Sequence, residues 1–174
     1  MIKPLTTTEA VWFGENVLLE LFDKTDFDDL KPISQIQAVT FVDKDHLVLY
    51  KSGRGNYGIP GGGPDGNESW EETLKRETRE EIAAKVISCG PLGYIKETMT
   101  RTSEVKYLLR YWSLVMLLDE PINDPDDPKR ERYIFSIKEG IEKLNWGSNG
   151  EVLVKLAKKK LIYYLNLPCK IKEQ

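Results

Sequence analysis

The rhythm of apolar and polar positions divides the chain into short strand-like runs and three longer helical ones. Val17–Phe22 (VLLELF) reads as a first strand, followed by the acidic turn 26–29. Ile36–Val42 and Leu47–Tyr50 are rich in β-branched and aromatic residues, and the polar stretch 43–46 between them predicts a hairpin. Gly93–Thr98 and Glu104–Leu118 read as two further strands, the second long enough to bend, and Arg132–Ile137 as a last one. The segments between these runs are punctuated by glycine or proline: 52–63 is dense in glycine, and 119–131 is polar and proline-rich.

Helical spacing is clearest after the glycine-rich stretch. Ser69 followed three residues later by Glu72 forms a capping box. From there Trp70, Leu74, Thr78, Ile82 and Val86 recur every fourth residue, which predicts one inner stripe and a helix end between Val86 and Gly90. Lys138–Leu144 and Glu151–Leu165 read as two more helices, the second with Lys155, Lys158, Lys159 and Lys160 on a solvated side. Strands in runs, with helices between and after them, predict an α/β chain of the α+β type built on a mixed sheet. There is no internal repeat or linker, so residues 1–174 read as a single domain.

Composition narrows the functional classes. With 40% hydrophobic and 30% charged residues, the chain is globular in character. Its 25 basic and 28 acidic side chains leave a net charge of −3, which argues against long nucleic acid as a partner but permits a compact polyphosphate. Cys89 and Cys169 have no metal-ligand spacing, and the opening residues Met1 to Leu5 have no apolar core of the kind a secretory leader needs. No segment approaches the ~20 apolar residues of a membrane helix. A cytoplasmic location is the simplest expectation.

Candidate chemistry concentrates between Gly62 and Ala84. Glu77, Glu80 and Glu81 fall at i, i+3 and i+4, within an arc of roughly 100° on a helix. Like charges so crowded repel, and a divalent cation relieves the repulsion. An all-oxygen donor set favours Mg²⁺ or Mn²⁺ over Zn²⁺, and the chain has a single histidine, His46. Arg76 precedes the cluster and is placed to orient a carboxylate. Taken alone, a glutamate-rich helix is more often a solvated face. Gly62, Glu68, Arg76, Glu77, Glu80 and Glu81 taken together, at their observed spacing, arise by chance in a chain of this length with a frequency on the order of 10⁻⁵.

This segment resembles the Nudix box, G-x5-E-x7-R-E-U-x-E-E-x-G-U with U aliphatic. The match covers residues 62–84, and Ile59-Pro60-Gly61-Gly62 resembles the usual entry to the box. Two positions depart from it: Thr78 stands at an aliphatic position, and Ala83 replaces the second box glycine. The resemblance implies an α/β/α sandwich, a loop-helix-loop metal site and hydrolysis of a diphosphate linkage in a nucleoside diphosphate derivative or a nucleoside triphosphate. It implies that Glu77, Glu80 and Glu81 hold Mg²⁺ or Mn²⁺, with the Gly62 carbonyl as a further ligand. Glu68 would support the ligands from behind, and Arg76 would orient them. Glu80, Glu81 and Arg76 are the catalytic candidates, and the loop carboxylates Asp65, Glu97 and Glu104 are further candidates for the general base. Arg54, Lys96, Arg101, Lys106 and Arg110 are candidates for phosphate binding, and Tyr57, Tyr94, Tyr107 and Trp112 for stacking on a base. Trp12 and Trp146 read as packing residues. The expected partner is a small phosphorylated metabolite, most simply a nucleotide, with no membrane involved and a homodimer as the plausible assembly. A sensor that binds such a ligand without cleaving it is the alternative, disfavoured by the intact glutamate set.

Overall fold

The computed structural model describes residues 3–12 and 14–168. Met1, Ile2, Cys169 and the side chain of Trp12 lie outside the described residues. The elements run β1 (Thr6–Trp12), β2 (Glu15–Phe22), β3 (Ile33–Phe41), β4 (His46–Lys51), β5 (Tyr57–Gly58), β6 (Gly61–Gly62), α1 (Trp70–Ile82), β7 (Ala84–Met99), β8 (Val105–Leu117), β9 (Glu131–Ser136), α2 (Ile137–Leu144) and α3 (Gly147–Leu165). Among the described residues, nine strands join one sheet in the order β1-β2-β7-β8-β3-β4-β5, with β6 paired to β3 and β9 to β4. The β3–β8 pairing is parallel and its neighbours are antiparallel, so the sheet is mixed.

Alternation along the strands separates two cores. Leu19, Leu21, Val39, Phe41, Leu108 and Trp112 point to the side covered by α2 and α3, with Leu153, Val154, Ala157 and Leu161 of α3 packed on them. Ile36, Ala38, Leu109 and Tyr111 point to the other side, where Leu74 of α1 is fully buried. Helices therefore flank both faces, giving the α/β/α sandwich. Complete burial of Leu74 on this face is worth ~2–3 kcal/mol.

Several elements differ from the sequence reading: β5 and β6 form within the stretch read as a glycine-rich loop, α3 begins at Gly147 rather than Glu151, and β1, α1 and β7 differ more. β1 was not anticipated, since Thr6-Thr7-Thr8-Glu9 lacks apolar alternation; it is an edge strand paired only with β2. α1 stops at Ile82 rather than at Val86–Gly90, because Ala83 takes the left-handed conformation (φ 45°, ψ 57°) that a glycine usually supplies at a helix end. The chain then passes straight into β7, so Val86 belongs to a strand and no loop follows the helix. β7 itself is much longer than Gly93–Thr98 and absorbs its length through register shifts at Val86/Ser88 and Pro91/Gly93.

Candidate functional site

The glutamate helix is held at both ends. At its start the Ser69 hydroxyl accepts the Glu72 N–H at 3.3 Å, and the Glu72 carboxylate accepts the Ser69 N–H at 2.8 Å. At its end the Arg132 guanidinium of β9 donates to the Ile82 and Ala83 carbonyls, both at 2.8 Å, and the Leu118 N–H donates to Ala83 O at 2.9 Å. These bonds satisfy carbonyls that would otherwise be orphaned at the helix terminus.

Arg76 is the hub of the cluster. Its Nε donates to both Glu68 oxygens at 3.0 and 3.2 Å, its Nη1 to Glu77 Oε1 and Glu80 Oε2 at 3.0 Å each, and its Nη2 to Gly63 O at 3.0 Å. Asp65 stands 3.6 Å from Nε. The planar fork of a guanidinium suits this set of acceptors, which a lysine would not reach together. The guanidinium holds the Glu68 carboxyl below the usual glutamate range, helped by the Asp65 N–H. Burial pushes Glu77 upward, against the pull of Arg76.

Glycine is required where the backbone passes close to these carboxylates. A Cβ on Gly62 would stand 2.3 Å from Glu77 Oε1, and one on Gly61 (φ +145°) would stand 2.0 Å from Ile36 O. The Gly61 N–H donates to Glu81 Oε2 at 2.8 Å, which draws that carboxylate inward. Glu81 is buried, and its other oxygen meets Arg130.

Arg130 and its loop were missed from the sequence. Its Nε lies 2.8 Å from Asp124 Oδ2, its Nη1 pairs with Glu81, and its guanidinium sits 4.0 Å above the Tyr50 ring. Asp124 is 7% exposed. A buried aspartate within the run Asp124-Pro125-Asp126-Asp127 leaves no periodic signal in the sequence. Glu77, Glu80, Glu81, Asp124, Arg76 and Arg130 line one polar cavity of about 420 Å³.

No three carboxylates among the described residues converge on one point in this arrangement, because two guanidiniums separate them. The donor set still fits a hard divalent cation. It is all oxygen, six acidic residues including Glu77, Glu80, Glu81 and Asp124 line one cavity, and the crowded charge now balanced by arginine is what a metal ion would share.

The remaining candidates disperse. Glu104 pairs with Lys106 on an exposed turn, and Glu97 lies on the α3 side of the sheet, away from α1. Lys96 and Arg101 are held by Glu20 and Glu15. Tyr94 stacks on Phe22 and meets Tyr107 edge-on, Tyr57 packs against Tyr133 and Phe135, and Trp112 sits in the core against Tyr164. These rings therefore serve packing. Burial pushes the Cys89 thiol up to about 11, which leaves it unreactive near neutral pH. Lys155 pairs with Glu151, and Lys158 approaches Asp45. Trp146 packs on the α3-side core, as anticipated, and also borders a larger cavity of about 880 Å³ that contains Arg54 and Arg110.

The architecture is thus a mixed sheet between helices, with a capped glutamate helix folded against a glycine turn. The NUDIX domain model matches residues 33–156. The chain therefore belongs to the NUDIX family of hydrolases. A pyrophosphohydrolase of Bacillus subtilis superposes with a TM-score of 0.66 at 20% identity, covering 88% of this chain and 97% of that one. A NUDIX hydrolase from Nitrosomonas europaea gives 0.61 at 18% identity, covering 81% and 95%. An ADP compounds hydrolase gives 0.54 at 17% identity, covering 96% and 98%. No curated protein matches the sequence. Among the described residues, no helix is long and apolar enough to cross a membrane.

Proposed function

We propose that the protein hydrolyses a diphosphate linkage in a nucleoside diphosphate derivative or nucleoside triphosphate, with Mg²⁺ or Mn²⁺ as cofactor. The observation that carries this reading is that Glu77, Glu80, Glu81 and Asp124 line one polar cavity, with Arg76 and Arg130 supplying its positive charge. Glu77, Glu80 and Glu81 would hold the metal, with the Gly62 carbonyl as a further donor. A metal ion held by these residues would neutralise the diphosphate and lower the pKa of the attacking water.

The protein's own groups do the rest. Arg76 fixes Glu77 and Glu80 through a single nitrogen, so the two carboxylates move as one unit. Glu68 and Gly63 O fix Arg76 in turn. Glu81 is anchored by the Gly61 N–H and cannot swing away. Glu80 is the most solvent-accessible of the three box glutamates, with Oε2 on Arg76, and we assign it the water's proton. Water oxygen then bonds to phosphorus as the bridging P–O bond breaks, and the leaving phosphate carries the bond's electron pair. Arg130 and Arg76 stabilise the charge on the phosphoryl oxygens.

The test uses the purified full chain with Mg²⁺ or Mn²⁺ and a panel of nucleoside triphosphates, nucleotide sugars, ADP-ribose and dinucleoside polyphosphates. Released phosphate is measured after alkaline phosphatase or inorganic pyrophosphatase, against a blank without the protein. A metal-dependent signal is expected for at least one member. Silence across the panel with both metals overturns the reading.

A further inference from the structure

The glutamate helix ends under conditions that disfavour it. Glu80 and Glu81 stand in its last turn, where unpaired carbonyls make the helix end partly negative. Arg79, the basic residue of that turn, is drawn off to Glu120 at 3.1 Å. Ala83 must then turn left-handed for Ala84 to enter β7 with no loop between. A Cβ resists that conformation, whereas glycine takes it freely. Ile82, Ala83 and Ala84 have no exposed surface, so bulk water does not reach the carbonyls left at the helix end.

Arg132 meets each of these demands. It stands opposite Tyr50 in the β4–β9 pairing, and Tyr50 packs with Val48, Ile82 and Ala84, so the arginine is aimed at the helix end. One nitrogen, Nη1, donates to both the Ile82 and Ala83 carbonyls. Its charge thus opposes the negative helix end and the neighbouring glutamates while leaving every carboxylate oxygen uncovered. Two residues earlier, Arg130 pairs with the Glu81 side chain. The entry to β9 therefore grips the last turn of α1 twice, once by its main chain and once by a glutamate.

We propose that Arg132 is a positioning residue that stands in for the box glycine replaced by Ala83: it holds Ala83 left-handed and so fixes where Glu80 and Glu81 point. The inference rests on the reading of these glutamates as metal ligands. Without the guanidinium, Ala83 relaxes toward the right-handed conformation and the helix runs on. Ala84 then leaves its pairing with Leu117, and Glu81 turns off the Gly61 N–H. Only molecules that keep Ala83 left-handed present the carboxylates correctly, and the apparent metal affinity falls with their fraction.

The test compares wild type, Arg132→Met and the double variant Arg132→Met with Ala83→Gly, each as the full chain. Mn²⁺ binding is read from the loss of the free-ion paramagnetic resonance signal, and amide hydrogen exchange is followed separately in EDTA. Arg132→Met should weaken Mn²⁺ binding about 10-fold and speed exchange by about as much in peptides spanning 79–86 alone, on the scale of alanine's resistance to the left-handed conformation. Adding Ala83→Gly should return the affinity to within about 3-fold of wild type, because glycine needs no clamp. Wild-type affinity in Arg132→Met overturns the proposal. So does a loss that Ala83→Gly leaves uncorrected, which would make Arg132 a general support of the fold. Should Arg132→Met alone fail to fold, the double variant decides: a folded chain with wild-type affinity supports the proposal, and failure of both to fold overturns it. A wild-type chain that takes up no Mn²⁺ would sink the metal reading instead, and exchange at 79–86 in EDTA would still decide whether Arg132 holds the helix end.

Discussion

Replacing Arg130 by methionine tests how the site balances its charge. The Arg130 side chain is 11% exposed, and the side chains of the carboxylates it joins, Glu81 and Asp124, are 8% and 5% exposed. Methionine preserves much of the stem's packing over Tyr50 but removes the charge. Breaking a buried ion pair from one side costs ~3–5 kcal/mol, because the partner is left charged and dry. Two hydrogen bonds soften the loss: Glu81 keeps the Gly61 N–H and Asp124 keeps the Asp126 N–H. The lower end, ~3 kcal/mol, is therefore expected in EDTA. At ~2–4 °C per kcal/mol for a chain of this size, melting should fall by about 6–12 °C. Magnesium should then stabilise the variant more than the wild type, since Arg130 no longer competes for Glu81. At a concentration 100 times its Kd the ion would restore ~2.7 kcal/mol. Thermal melts of both proteins in EDTA and in millimolar MgCl₂ measure this directly. An unchanged melting temperature in EDTA, or the same magnesium shift in both proteins, would refute the reasoning.

Other outcomes follow from single contacts. Glu81→Gln keeps an acceptor for the Gly61 N–H but loses the charge, and turnover on the substrate found in the panel should fall at least ~100-fold; near-normal kcat would remove Glu81 from the catalytic set. Gly61→Ala forces a Cβ into the Ile36 carbonyl and should unpair β6 from β3, so a variant that melts like the wild type would contradict the assigned turn. Ser69→Ala removes the helix cap and should cost ~1 kcal/mol at neutral pH, read from denaturant midpoints. The Ser69 hydroxyl is the main cause of the lowered Glu72 pKa, so the cap's contribution is present above the ordinary glutamate value of 4.5 and fades as pH falls through the lower folded-state value. The gap between Ser69→Ala and wild type should narrow on acidification, and a gap that widens would count against the capping box.

Sequence reached those parts of the molecule whose physics is local. The capping box at Ser69 and the i, i+3, i+4 glutamates depend on spacing within one helix, and both stand where the spacing puts them. The end of α1 was misjudged because the usual stop signal is a glycine. Ala83 adopts the glycine conformation without being one, held by Arg132 of β9 and by Leu118 just beyond β8. β1 escaped for a related reason, since an edge strand with one partner needs little apolar alternation. Arg130 and Asp124 come to the glutamates through a loop fold that no periodicity encodes. Arg110 and Arg101 looked equivalent as cations, and only the strand register separates the buried one from the one on Glu15.

The anchoring of the loop between β8 and β9 has a consequence for how such a protein can change. Its entry at Leu118 is fastened to Ala83, the cap of α1, and Arg132 just past its exit is fastened to Ile82 and Ala83. The stems are thus set by the end of the glutamate helix, and the exposed positions between Leu118 and the buried Asp124 can vary in length and composition. Doubling a flexible loop costs only ~0.6 kcal/mol of closure entropy. Insertions at 119–123, which leave Asp124 and Asp127 in place, should therefore fold readily and alter what the cavity admits while the helix stays in place. The molecule behaves here like a fixed socket with an interchangeable rim, a natural starting point for directed evolution of new specificities.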